Sequence, residues 1–112
     1  MKKITIGIIG PGSHFEKNIY PVFRKYNFLK IDGILRKKNK KFKNIENLKE
    51  EFFFKKNFDF IYISCPSIFH EKYIIKSLNN NSHVICEKPF IAGNKKIDLI
   101  ISLAKKKKKL IF

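Results

Sequence analysis

The chain has 112 residues, 44% of them hydrophobic, and its 25 lysines and arginines against 9 acidic residues give a formal net charge of +16 at pH 7. That length and apolar content describe one domain with a real core, and exclude both a disordered chain and two domains of ordinary size. No segment approaches the ~20 apolar residues of a membrane span. The opening MKKITIGIIG, broken by Thr5 and Gly7 and lacking a small-residue cleavage site, does not resemble a signal peptide, so a cytoplasmic protein with no membrane partner is expected.

ITIGIIG (4–10) is a β-branched run ending in glycine, expected as a strand buried on both faces of a parallel sheet. GPGSHF follows, and a helix is predicted over Glu16 to Tyr26, with Pro21 either starting a new first turn or kinking it. Leu29 to Leu35 reads as a second strand, KKNKKFK (37–43) as a solvated loop, and Ile45 to Phe54, with apolar residues at helical spacing, as a short helix.

FDFIYISCP (58–66) is the third predicted strand, stopped by Pro66. Ser67 is placed to cap the next helix, and Glu71 suits its positive end; the helix runs to about Leu78 and breaks at Asn79, Asn80 and Asn81. His83 to Cys86 is the fourth strand. Gly93 or Asn94 opens a last helix whose apolar stripe is Ile97, Ile100, Ile101 and Ala104. KKKKK (105–109) ends that helix, where cations suit the dipole, and Leu110 to Phe112 begin a fifth strand. Strands alternating with helices predict a single doubly wound α/β unit, three layers around a parallel sheet.

Gly10 and Gly12 stand where a strand meets a helix, as the first two glycines of a dinucleotide fingerprint do. The first permits a tight turn, the second lets backbone approach a pyrophosphate held by the helix start, and Ser13 and His14 sit in the same loop. The third fingerprint position is Phe15 where glycine or alanine is usual, and a bare G-x-G also serves ordinary strand-turn-helix geometry. At the end of the second strand the chain offers Arg36, Lys37 and Lys38 instead of an acid. An acid there would accept from an NAD ribose, whereas Arg36 grips a 2′-phosphate, so NADP is expected in preference to NAD.

Cys65 and Cys86 lie in apolar surroundings at no metal-ligand spacing and read as reduced core residues; His14, His70 and His83 form no metal set, so no metal is expected. The high net charge raises nucleic acid as a partner. Yet the chain is rich in Lys, Asn, Ile and Phe together, as AT-biased coding produces, and Arg24 and Arg36 are its only arginines. Readers of phosphates and base edges favour the arginine fork, so nonspecific attraction is all that this charge supports.

DFIYISCPSIFHEKYIIKSLNNNSHVICEKPF (59–90) resembles the cofactor-binding domain of the Gfo/Idh/MocA oxidoreductases, the family of glucose-fructose oxidoreductase and inositol dehydrogenase. The shared features are the small-polar-Pro step Ser64-Cys65-Pro66, His70 near the next helix start, and a strand delivering Glu87, Lys88 and Pro89. The resemblance spans essentially the whole chain. It implies a Rossmann domain that binds NAD or NADP and works on carbons of sugars, cyclitols and related compounds. It further implies that Gly10 and Gly12 face the pyrophosphate, that Cys65 and Pro66 line the cofactor, and that Lys88 points at the substrate as the catalytic residue. Glu87 is then expected to hold the lysine or the cofactor amide, with Pro89 closing the step and His70 either at the ligand or packed beside it. The chemistry agrees: an ammonium donating to the reacting oxygen stabilises its developing charge, and a desolvated lysine can also shuttle a proton.

Family members carry a second domain that supplies the substrate pocket with a further Asp and His. Residues 1–112 are expected to be the dinucleotide-binding domain alone. Either the gene is truncated, or the substrate half is separately encoded, with a homo-oligomer also possible, and the isolated chain would bind dinucleotide weakly and turn over poorly or not at all. A noncatalytic dinucleotide- or partner-binding module is the alternative.

Overall fold

A computed structural model describes residues 2–36, 45–88 and 96–112. The expected loop at 37–43, Pro89 and the helix-opening Gly93 or Asn94 lie outside the described residues. Five strands form one parallel sheet in the order β3-β2-β1-β4-β5, where β1 is Ile4–Ile9, β2 Leu29–Leu35, β3 Asn47–Leu48, β4 Phe60–Ile63 and β5 His83–Cys86. Beyond β5 the chain adds a sixth position: Ile111 bridges Val84 in parallel, and the Val84 amide donates to the Leu110 carbonyl at 2.9 Å. This is the doubly wound Rossmann order, which expects its ligand crevice between β1 and β4, where the strand order reverses.

Strand periodicity builds the three layers. Ile6, Ile8 and Tyr62 point to one face, where they pack with Phe15 and Ile34; Ile9, Ile61, Ile63 and Val84 point to the other, against Phe53, Phe58, Ile74, Leu78 and Ile100. The first face is covered by the helical run after β1. The second is covered by α2 (Glu50–Phe53), α3 (His70–Asn79) and α4 (Ile97–Lys107).

Three expectations are corrected, and the helix expected over Glu16 to Tyr26 is refined: it is a π-helical turn, Phe15–Ile19, followed by α1, Tyr20–Arg24, with Pro21 in the first turn of α1. Pro21 has no N–H for the Lys17 carbonyl and its ring crowds that oxygen, so the turn widens and the Tyr20 amide donates to the Phe15 carbonyl instead. The predicted helix over Ile45 to Phe54 splits: Asn47 and Leu48 pair with Ile34 and Leu35, and only Glu50–Phe53 is helical. Its apolar spacing serves an edge strand and one helical turn equally well. Ser67 begins a 3-10 turn, Ser67–Phe69, and α3 starts at His70 without a side-chain cap. In α4, Ile100 and Ala104 are buried as predicted, but Ile101 is 46% exposed and Leu103 packs in its place. Lys105, Lys106 and Lys107 do form the last turn of α4, which closes with Lys108 at φ +55°.

Gly7 and Gly33 are partners across β1 and β2, and together they leave the slot filled by the Phe58 ring. A Cβ at Gly7 would lie 2.7 Å from Phe53 Cζ and 2.8 Å from the Phe58 ring. Both rings are buried and tilted against each other with centroids 4.8 Å apart, so neither can move without disturbing the core. Gly7→Ala is therefore expected to destabilise the fold by about 1–3 kcal/mol in urea unfolding; parent-like stability would contradict this packing.

Candidate functional site

The carboxyl ends of β1, β2 and β4 surround a cleft of about 900 Å³ whose lining includes Gly10, Pro11, Arg36, Cys65 and Pro66. Gly10 turns the chain out of β1 with φ +67°, the left-handed region that favours glycine. Its amide donates to the Leu35 carbonyl at 2.7 Å, and a Cβ on it would stand 2.7 Å from Cys65 Cβ and 2.9 Å from Cys65 Cα. The backbone conformation and the neighbouring strand thus both require glycine. Gly12 differs, for nothing lies within 4 Å of where its Cβ would be. Space above this backbone is open at the point where the helix starts, the Glu16 amide donating to the Gly12 carbonyl at 3.0 Å. Ser13 and His14 form the exposed first turn, whose N–H groups precede any intrahelical acceptor.

Phe15, at the position where the fingerprint has a small residue, is fully buried. Its ring meets Tyr62 at 5.3 Å and Phe23 at 6.1 Å between centroids, so the bulk goes into the core below the loop and leaves the loop's upper surface clear.

At the end of β4, Cys65 is partly buried and free, and burial pushes its thiol up to about 11. Cys86 is likewise a thiol outside any disulfide, pushed up to about 12 by burial. Pro66 is exposed at the cleft, and its carbonyl accepts from the Phe69 amide at 3.0 Å. His70 is only 1% exposed, and its Nε2 lies 2.6 Å from the Cys65 carbonyl oxygen. Its side chain therefore sits behind the Cys65-Pro66 turn and braces it, instead of facing the cleft.

At the end of β5 the β4–β5 register, Ile63 opposite Cys86, sets Ser64 across from Glu87. Both the Tyr62 hydroxyl, at 2.9 Å, and the Ser64 hydroxyl, at 3.0 Å, donate to the Glu87 carboxylate. His14 Nε2 stands 3.7 Å from the same carboxylate, and Asn18 Nδ2 lies 3.1 Å from His14 Nδ1. The glycine loop and the Glu-Lys-Pro strand thus meet over Glu87. This differs from the expected Glu87–Lys88 contact: among the described residues the partners of Glu87 are Tyr62, Ser64 and His14. Burial, followed by the bond to Glu87, raises the Tyr62 phenol well above its ordinary range and keeps it a donor. Lys88 is exposed, so the expected desolvation of its ammonium is not supplied by the described residues. Sequence reasoning missed Tyr62 and took Ser64 only as part of the Ser64-Cys65-Pro66 step, although their two-residue spacing at the end of β4 puts both on one face, beside the residue that follows β5.

The wall below β2 was also missed. Arg36 is half-buried there, its amide donating to Asn47 Oδ1 at 3.2 Å, and Lys49, Glu50, Lys72 and Tyr73 continue the cleft. Glu50 accepts from the Tyr73 hydroxyl at 3.0 Å, bonds Lys76 through its other oxygen, and lies 3.7 Å from Lys72. Lys76 is the main reason its carboxyl is held below the ordinary 4.5, with Tyr73 assisting and burial opposing. A carboxyl lowered on folding stabilises the fold fully above its unfolded value and loses that contribution as pH falls through the folded one. Glu50→Gln should therefore lower the melting temperature at pH 7, with the gap to the parent closing on acidification below about pH 4. A gap that does not change between pH 7 and pH 3 would contradict the pairing.

The family model described as "Oxidoreductase family, NAD-binding Rossmann fold" matches residues 4–112. The scyllo-inositol 2-dehydrogenase (NADP(+)) of Bacillus subtilis (strain 168) is 40% identical over 48 residues, which are 43% of this chain and 15% of that protein. D-galactose-1-dehydrogenase from Rhizobium etli superposes with a TM-score of 0.88 at 20% identity, over 100% of this chain and 37% of that one. A variant of a 3-ketoreductase from Actinomadura kijaniata, in complex with TDP-benzene and NADP, superposes with a TM-score of 0.85 at 17% identity, over 98% of this chain and 38% of that one. At those identities the superpositions speak for the fold, and the chain spans little more than a third of either structure. The model match over nearly every residue establishes the rest: the chain belongs to the Gfo/Idh/MocA oxidoreductase family and corresponds to its NAD-binding Rossmann domain.

Proposed function

We propose that the chain is the cofactor-holding half of an oxidoreductase acting on a hydroxyl or carbonyl of a sugar, cyclitol or related compound, with NADP preferred over NAD. Residues 1–112 form the dinucleotide-binding domain in this reading, and the substrate wall comes from residues beyond these or from a partner subunit. The observation that carries it is the pairing of Gly10, pressed against Cys65, with Gly12, open above, at the switch point of the sheet.

The residues fit a dinucleotide. The open surface over Gly12 and the first-turn amides of Ser13 and His14 suit a pyrophosphate, and the 900 Å³ cleft runs from the neighbouring Gly10 and Pro11 past Cys65 and Pro66 to Arg36. Bound, the nicotinamide supplies the carbon that gives or takes the hydride. Glu87, fixed by two hydroxyl donors, presents an oriented acceptor at the β5 end of the site. Lys88 follows it into solvent, where its ammonium can donate to the oxygen of the reacting carbon and stabilise charge there. His70 positions the Cys65-Pro66 turn from behind. Where the fold commonly sets an acid for an NAD ribose, Arg36 offers a fork suited to a 2′-phosphate. The NADP(+) named for the Bacillus subtilis relative and the NADP bound to the 3-ketoreductase variant support the same choice.

Titration of the purified chain should show saturable binding of NADPH and weaker binding of NADH, with sugar oxidation slow or absent until a substrate domain is supplied. Equal affinities would remove the NADP preference, and robust steady-state turnover by the 112 residues alone would contradict the division of labour.

A further inference from the structure

The cleft that Arg36 lines is also lined by a lysine that is held in place from two sides. Lys72, in the first turn of α3, has its Nζ 3.7 Å from Glu50 Oε1 and 5.1 Å from the centroid of the Tyr73 ring. Glu50 is itself anchored, by the Tyr73 hydroxyl at 3.0 Å and by Lys76 on its second oxygen. One carboxylate is therefore shared between two ammonium groups, and the assembly keeps a net positive charge. Glu50 is the one acid among the described lining residues, set against Arg36, Lys49 and Lys72. Such a wall attracts an anion in addition to the pyrophosphate that a dinucleotide places at the glycine loop. Lys76 shares the carboxylate but does not line the cleft.

We propose that Lys72 is a specificity-determining residue, presenting a second cation beside Arg36 to the ribose 2′-phosphate, so that discrimination between NADP and NAD is divided between the end of β2 and the first turn of α3. The proposal rests on the NADP reading above. Glu50 and Tyr73 act as positioning residues, limiting the conformations the ammonium must give up when the phosphate arrives. A lysine held this way contributes a point charge, complementing the fork of Arg36.

Equilibrium titration of the full chain with NADPH and NADH, for the parent, Lys72→Met, Lys72→Arg and Lys105→Met, tests this. Lys72→Met is expected to weaken NADPH about tenfold while NADH stays within about twofold, and Lys72→Arg should keep most of the preference. Lys105→Met removes the same charge from the exposed last turn of α4, outside the cleft, and should leave NADPH within about twofold. A parent with no preference for NADPH overturns the NADP reading and this proposal with it. A parent that prefers NADPH overturns this proposal alone if Lys72→Met weakens both dinucleotides alike, weakens neither, or does no more than Lys105→Met.

Discussion

The contact between Gly10 and Cys65 governs the layout of this molecule. Two adjacent parallel strands, β1 and β4, finish side by side and their chains then leave in different directions, one into the helical run after β1 and the other toward α3. Their backbones can part this closely only because Gly10 has no Cβ and adopts φ +67°. The Gly10 amide ties the turn to the end of β2, and His70 ties the Cys65 carbonyl from behind. The cleft is the space left above these tied ends. Its shape is thus fixed by backbone hydrogen bonds and one buried imidazole before any side chain lines it.

A second set of contacts joins the cleft to the far end of the sheet. Glu87 would repel other acids and attract stray cations if it were loose. Donors from Tyr62 and Ser64 hold it in one orientation, and the glycine-loop His14 approaches it from across the crevice. The lysine that follows, Lys88, is left exposed.

Much of this was legible in the sequence, for identifiable reasons. Strands β2 and β5 appear at the predicted bounds because their β-branched runs end at sharp signals, Arg36 after Leu35 and the Glu-Lys-Pro step after Cys86. The glycine loop was legible because left-handed geometry restricts residue choice so tightly. The short β3 was not, because two edge residues in a helix-like apolar pattern carry too little periodicity to declare a strand. The role of Phe15 was hidden as well: its size looked like a flaw in the fingerprint, and only the three-dimensional packing on Tyr62 and Phe23 shows where that bulk goes. The contacts of Tyr62, Ser64, Glu50 and Lys72 were missed because each reaches a partner more than 20 positions away in sequence.

The large positive charge has a more modest place than its magnitude suggests. Three of the lysines, Lys105 to Lys107, complement the carbonyl end of α4, and two others, Lys72 and Lys76, pair with Glu50 and lie over the rings of Tyr73 and Phe54. The most direct test of the account is residue-resolved: amide chemical-shift mapping of the isotopically labelled chain during addition of NADPH. Saturable shifts centred on Gly10, Gly12, Ser13, His14 and Cys65 are predicted, with little change along Lys105 to Lys107. Shifts that follow the lysines of α4 and pass over the glycine loop would contradict it.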